Sequence, residues 1–185
     1  MRVISGKARG KKLISLEGLN TRPTLDRVKE ALFNIIQFNV ENKNILDLFA
    51  GSGALGIEAL SRGAKTATFC DNSYDAIKVI KSNIENTKNE DKSIVINKDY
   101  SLALNSLSKQ NKKFDIIFLD PPYKTDFGIK SLETIIKLNM LAEDGTIILE
   151  TDDEKREKEI ENIKGIEVFD KRKYGKVMLI FIRKE

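Results

Sequence analysis

Four consecutive residues, Asp120-Pro121-Pro122-Tyr123, concentrate more chemistry than any other stretch of this chain. They follow the apolar run Phe114-Asp115-Ile116-Ile117-Phe118-Leu119, which reads as a buried parallel strand. Two prolines end that strand abruptly, because neither can donate to a sheet ladder. The product is a rigid loop at the carboxyl end of a strand, where open α/β sheets bind their ligands. The loop offers a carboxylate, carbonyl acceptors of fixed direction and one aromatic ring. That set suits a planar base bearing an exocyclic amine, with the ring stacked on the base and the oxygens accepting the amine hydrogens. The plainer alternative is a strand that simply ends in a proline turn.

A second constellation lies upstream, in Asp47-Leu48-Phe49-Ala50-Gly51-Ser52-Gly53-Ala54-Leu55-Gly56. Gly51, Gly53 and Gly56 satisfy G-x-G-x-x-G, a pattern that permits a tight turn and close backbone approach to a ligand. Nicotinamide, flavin and S-adenosyl-L-methionine enzymes all use versions of it. Asp71 ends the next predicted strand, 20 residues after Gly51, where a carboxylate can take both ribose hydroxyls of a cofactor. Asp99 follows the third strand, within reach of an adenine edge. Either acid alone reads as an ordinary strand-end turn residue; three strand ends together point to a nucleoside cofactor. Asp47 and Asp120 then separate the candidates. Negative charge near the pocket suits the ammonium and sulfonium of S-adenosyl-L-methionine and would repel a pyrophosphate.

The implied reaction is methyl transfer to an amine. An aromatic exocyclic amine is a poor nucleophile, because its lone pair is delocalised into the ring. Acceptance of its two hydrogens by the Asp120 carboxylate and the Pro121 carbonyl strengthens as positive charge develops on nitrogen, which favours the transition state. Tyr123 would hold the base by stacking, worth about 1–3 kcal/mol. A base inside a helix could not reach such a loop, so the target must be unpaired or flipped out.

The elements that must position these residues alternate in type. Strands are predicted at Ile45–Phe49, Thr66–Cys70, Ser93–Asn97, Phe114–Leu119 and Thr146–Glu150. Helices are predicted over Ala54–Arg62, Ser73–Thr87, Tyr100–Leu107, Ile129–Asn139 and Asp152–Ile163. Ile166–Arg172 and Val177–Arg183 read as an antiparallel pair turned at Tyr174-Gly175. Before this core, Arg2 to Leu16 reads as a β-hairpin bent at Gly6 and Gly10. Asn20 to Thr24 reads as a turn, with Thr24 capping a helix whose buried stripe is Val28, Ala31, Leu32, Ile35 and Ile36. The pattern describes an α/β, doubly wound, mostly parallel sheet in one domain spanning 1–185, with a basic extension at 1–23 and a cofactor-binding core at 24–185.

Composition narrows the chemistry further. The chain has no histidine, which removes Ser-His and Cys-His catalysis and the commonest zinc ligand. The single cysteine, Cys70, sits in the apolar run Ala67-Thr68-Phe69-Cys70 and reads as core, consistent with a reducing cytoplasm. No metal is expected, and no apolar stretch approaches membrane-spanning length. Residues 1–29 carry eight Lys and Arg against two acids, a net +6 within a whole-chain charge of +4. The positive surplus therefore belongs to one end of the chain. It is a footprint for a polyanion, most simply nucleic acid, or else a solvated basic hairpin.

These residues resemble a known family. The D-P-P-Y and F-A-G-S-G-A-L-G loops are similar to those of amino-group methyltransferases. Arg2-Val3-Ile4-Ser5-Gly6-Lys7-Ala8-Arg9-Gly10-Lys11-Lys12-Leu13, Arg22 to Asn34, and Leu55-Gly56-Ile57-Glu58-Ala59-Leu60-Ser61-Arg62-Gly63-Ala64 resemble the RsmD family, over essentially the whole chain. That resemblance implies a Rossmann-like, seven-stranded fold dependent on S-adenosyl-L-methionine. It implies methylation of the N2 amine of a guanine in small-subunit (16S) ribosomal RNA, whether the partner is the RNA itself, an assembly intermediate or the small subunit. A cytoplasmic monomer is expected. The cofactor would lie against Asp47, Phe49, Gly51, Ser52, Gly53, Gly56, Asp71, Asn72, Asp99 and Tyr100. The target guanine would lie at Asp120, Pro121, Pro122 and Tyr123. Arg2, Lys7, Arg9, Lys11, Lys12, Arg22 and Arg27 would face RNA. The family more often has glycine at Ser5 and glutamate at Asp71. Three other readings compete: an N6-adenine methyltransferase acting on DNA or RNA, a non-catalytic RNA-binding module on the same fold, and a nicotinamide oxidoreductase.

Overall fold

The computed structural model describes residues 1–16, 23–122 and 125–185. Its centre is a seven-stranded sheet of order β3-β2-β1-β4-β5-β7-β6. The strands are β1 (Asn44–Asp47), β2 (Thr66–Asp71), β3 (Ser93–Asn97), β4 (Phe114–Leu119), β5 (Leu141–Thr151), β6 (Ile166–Tyr174) and β7 (Val177–Lys184). Helices α1 (Pro23–Ile35), α2 (Ala54–Ser61), α3 (Tyr74–Asn86), α4 (Tyr100–Ser108), α5 (Phe127–Lys137) and α6 (Glu154–Glu161) cover it. The first five strands run parallel, and β7 pairs antiparallel with both β5 and β6.

Strand alternation sorts the core into two layers. Ile45, Ile116, Phe118 and Ile148 pack beneath α1, α2 and α3, where Phe33, Ile57 and Ile80 are fully buried. Leu46, Ile117, Leu119, Ile147 and Leu149 face the opposite side, against Leu104, Leu132, Ile135 and Ile160 of α4, α5 and α6. Burial on both faces explains why β4 reads as a nearly unbroken apolar run. The chain builds β1, β2 and β3 outward in one direction and then returns to place β4 on the other side of β1. That reversal opens a crevice beyond the carboxyl ends of β1 and β4, the position where such sheets bind ligands.

The structure departs from the sequence expectations at several places. In the expected buried stripe of α1, Ile35 is exposed and Ala31 half-buried, while Phe33, which the stripe omitted, is fully buried. Helix α1 starts at Pro23, one residue before the expected Thr24 cap. Proline is well suited to a first helical position, where its missing N–H would have no partner. Helix α5 begins at Phe127 and ends sooner than expected, since Asn139 is left-handed (φ 50°) and stops it. Strand β5 begins at Leu141, because Leu141 already pairs with Phe114 before an irregularity in the ladder. In the amino-terminal arm the expected hairpin strands reduce to one bridge, Arg2 with Lys12.

The arm is held by side chains of the core instead. Glu58 of α2, fully buried, accepts the backbone N–H groups of Ile4 and Ser5 at 2.8 and 3.0 Å. Ser61 accepts from the Ala8 N–H and donates to the Ser5 carbonyl. Gly6 (φ 83°) lies so close to α2 that a Cβ there would stand 1.8 Å from the Ser61 carbonyl oxygen. Only glycine fits both the conformation and the contact.

Candidate active site

The glycine loop is built by its neighbours. After β1, the Leu48 N–H donates to the Phe118 carbonyl and the Ala50 N–H to the Cys70 carbonyl, so the loop is strung between β4 and β2. Gly51 and Gly53 adopt φ values of 55° and 78°, which an L side chain would strain. Gly56 has a different role. A Cβ there would meet the Phe69 ring at 2.3 Å, so its absence lets α2 lie directly on β2.

Two acids fasten this loop. Asp47 accepts the Gly56 N–H at 3.1 Å, satisfying one of the orphan donors at the start of α2. Burial pushes the Asp47 carboxyl up to about 7; the Gly56 bond works against that rise, and the charge of Asp71 adds to it. Asp71 accepts the Gly51 N–H through one oxygen (2.9 Å) and the Ser73 N–H through the other (2.8 Å). Asp99 caps α4, accepting from the Ser101 N–H at 2.9 Å.

A cavity of about 460 Å³ opens at the switch point. The loop contributes Asp47, Phe49, Ala50, Gly51 and Ser52 to its wall; Asp71, Asn72, Lys98, Asp99 and Tyr100 close the side towards β2 and β3. Asp120, Pro121, Pro122, Phe127 and Glu150 close the side towards β4 and β5. Met1, Ser15 and Leu16 of the arm, with Val28, Lys29 and Leu32 of α1, complete the rim. The ring of Tyr100 stands between those of Phe49 and Phe127, with centroids 5.6 and 5.3 Å away. The Asp120 side chain is open to the cavity, while protein surrounds it on its other sides. Desolvation there, then the negative charges of Glu150 and Asp47, hold its carboxyl well above the ordinary range.

The cations divide into two sets. Arg2, Lys7, Arg9, Lys11, Lys12 and Arg27 are exposed. Lys29 is buried; its ammonium donates to the Arg2 carbonyl at 2.7 Å and lies 3.4 Å from Glu58. Arg62 completes that network, 2.8 Å from Glu58 and stacked over Phe33. Burial lowers the Lys29 pKa, and Glu58 opposes the shift.

Residues 1–183 match the family described as conserved hypothetical protein 95. The chain belongs to this family, the RsmD family. RsmD relatives align over most of its length. "Putative rRNA methyltransferase YlbH" of Bacillus subtilis is 46% identical over 83% of this chain and 84% of its own. "Ribosomal RNA small subunit methyltransferase D" of Haemophilus influenzae is 37% identical over 84% of this chain and 80% of its own. The solved structure titled "Putative methyltransferase yhhF from Escherichia coli" superposes with a TM-score of 0.84 at 29% identity, covering 100% of this chain and 98% of that one. The fold is thus the Rossmann-like fold of RsmD-type methyltransferases.

Of the residues singled out from sequence, Asp47, Phe49, Gly51, Ser52, Asp71, Asn72, Asp99, Tyr100, Asp120, Pro121 and Pro122 share one cavity. Gly53 and Gly56 stand behind it and shape the loop. Tyr123 and Arg22 lie outside the described residues. Phe127, Lys98, Lys29 and Glu150 line the cavity without having been foreseen. Phe127 and Glu150 reach it from separate elements, α5 and β5, and no local motif marks either. Cys70 is wholly buried, its thiol pushed up to about 12 by burial and the nearby Asp47 and Asp71, as a core residue should be. Among the described residues, no cluster of acids and cysteine is arranged to hold a metal ion. No described helix is long and apolar enough to cross a membrane.

Proposed function

We propose that this protein transfers a methyl group from S-adenosyl-L-methionine to the exocyclic N2 amine of a guanine in small-subunit (16S) ribosomal RNA, acting in the cytoplasm. The observation that carries the reading is the shared cavity. One side presents acids at three successive strand ends around a glycine loop, and the other presents Asp120-Pro121-Pro122.

The donor set fits the cofactor. Asp71 and Asp99 would meet the ribose and the adenine edge, Phe49 and Tyr100 would supply apolar faces, and Asp47 would supply negative charge towards a cationic group; their sharing one cavity supports these roles. When bound, S-adenosyl-L-methionine supplies an electrophilic methyl group. The protein's own part is to hold and polarise the amine. The Asp120 carboxylate and the Pro121 carbonyl accept its hydrogens, and these bonds tighten as the nitrogen gains positive charge. Tyr123 stacks on the base. Fixed placement of the amine beside the methyl supplies the remaining acceleration. The exposed cations of the arm and Arg27 hold the RNA backbone at the cavity rim. The names of the aligned RsmD relatives support both the reaction and the ribosomal substrate.

The test is methyl transfer from labelled cofactor to small ribosomal subunits that lack native modification at this site, with mapping of the labelled nucleotide. Label on the N2 amine of one guanine is the expected result. Label on adenine would retain the role of Asp120 and overturn the guanine assignment. Cofactor binding with no transfer to any RNA would favour a non-catalytic binding module.

A further inference from the structure

The sheet register places a second carboxylate beside Asp120. Strands β4 and β5 are parallel neighbours, with Phe118 opposite Ile148 and Leu119 opposite Leu149. The next step along each strand is Asp120 and Glu150. Phe118 and Ile148 point into the layer beneath α1, α2 and α3. Two residues further along β5, Glu150 projects to that same side, and Asp120 is the first residue beyond β4. Both line the cavity, together with Pro121, Pro122 and Phe127. Glu150 lies within β5, whose backbone is paired on both sides: with β4, and through Glu150 itself with Leu179 of β7. Its position is therefore set by the sheet, whereas Asp120 begins a loop. The closeness of the two groups shows in their electrostatics, since Glu150 is the foremost charge raising the Asp120 pKa.

Two adjacent acceptors are a demanding surface for a base to satisfy. Adenine and cytosine present, beside the exocyclic amine, a ring nitrogen with a lone pair. Guanine presents beside its N2 amine a ring N–H. A carboxylate next to the amine acceptor therefore completes a hydrogen bond with guanine and meets a repelling lone pair on the other two bases. A buried acceptor left without its donor makes rejection stronger than the loss of one contact.

We propose that Glu150 is the residue that selects guanine, accepting the N1–H of the target base while Asp120 and the Pro121 carbonyl engage the N2 amine. This rests on the proposed guanine-N2 reaction and names the residue that reads the base. Glu150 is a specificity residue here, and its removal should alter base choice more than cofactor binding.

The test compares two substrates: small subunits reconstituted with 16S RNA carrying guanine, or 2-aminopurine, at the target nucleotide. 2-Aminopurine keeps the 2-amine and replaces the N1–H with a lone pair. Wild-type enzyme should use the guanine substrate at least about tenfold better in kcat/KM, the scale of one well-formed base contact. Glu150→Gln, whose amide can donate to that lone pair, should narrow the ratio by about tenfold, with the affinity for S-adenosyl-L-methionine measured by calorimetry unchanged. Wild-type enzyme that used both substrates equally would overturn the inference without any variant. So would a Glu150→Gln enzyme that kept the wild-type ratio. If wild-type enzyme left guanine N2 unmethylated, the underlying reaction itself would fall, a result distinct from either of these.

Discussion

At the scale of single residues, the site is a collection of carboxylates held at different depths. Asp120 stands open to the cavity and, in the proposed mechanism, touches the reacting amine and not the cofactor's anchoring groups. Asp120→Ala should therefore reduce kcat by about a hundredfold or more, as loss of a transition-state acceptor does, while the Kd for S-adenosyl-L-methionine changes little. A parallel loss of cofactor affinity in calorimetry would make Asp120 a cofactor ligand first. Asp47 differs because it is 2% exposed and already bonded to the Gly56 N–H. Burial pushes its carboxyl up from an ordinary value of 3.8 to about 7 in the fold. The native state thus holds the proton more tightly than the unfolded chain does. Its contribution to stability is fully present below about pH 4, declines as pH rises towards 7 and is then lost, by at most about 4 kcal/mol. Asp47→Asn keeps an oxygen for Gly56 and removes the titration. In cofactor-free protein its melting temperature should exceed that of wild type at pH 8, and the gap should close at pH 4.5. An equal gap at both pH values would show that Asp47 does not carry this dependence.

At the scale of elements, Asn83 on the buried face of α3 ties the arm to the glycine loop. Its side chain accepts the Ile14 N–H at 2.8 Å and donates to the carbonyls of Ile14 and Ser52, both at 2.9 Å. Asn83→Ala would leave those groups without their partner, at a cost of about 1–3 kcal/mol. Because Ser52 and the arm's Ser15 and Leu16 line the same cavity, the loss should also be felt by the cofactor. Faster hydrogen exchange at Ile14 and a several-fold weaker Kd for S-adenosyl-L-methionine are expected together. Unchanged exchange at Ile14 would mean that other contacts suffice to dock the arm. A linkage of this kind, between residues far apart in the chain, carries no local sequence signal. Strands β1 to β4 were legible because β-branched runs bounded by turn residues are a local signal, and the acids at their ends came with them. The arm reads from sequence as a β-hairpin bent at Gly6 and Gly10, and one antiparallel bridge of it is present; its docking on the core does not show in the sequence, because the N–H groups of Ile4, Ser5, Lys7 and Ala8 are taken up by α2, through partners 53 and 54 residues away where side chains are involved. Glu58 gave no sign of this role, since an acid on a helix reads as solvated until its partners are known. Glu150 was visible only as the last residue of a strand; its place beside Asp120 follows from register, which one sequence does not state.

At the scale of the whole molecule, charge and shape are arranged together. Net positive charge is gathered in the first 29 residues, and acids gather at the strand ends. A basic arm that moved freely would attract RNA without directing it. Here Glu58, Ser61 and Asn83 fix the arm's backbone to α2 and α3, leaving Arg2, Lys7, Arg9, Lys11 and Lys12 exposed, while Lys29 is spent internally on Glu58 and the Arg2 carbonyl. The cations therefore stand at a set distance from a cavity whose rim includes Met1, Ser15 and Leu16. Phosphates held by the arm would bring an unpaired nucleotide to Asp120 in a limited range of poses. Phosphate contacts reveal themselves through counterion release, so the logarithm of RNA affinity should fall linearly with the logarithm of salt concentration. Arg9→Ala with Lys12→Ala removes two exposed charges and, among the described residues, touches no hydrogen bond or ion pair of their side chains. The slope of that plot should become shallower by about 1 to 2, with the affinity loss greatest at low salt and the Kd for S-adenosyl-L-methionine unaltered. An unchanged slope would move the RNA footprint away from the arm, to Arg27 or to another face of the protein.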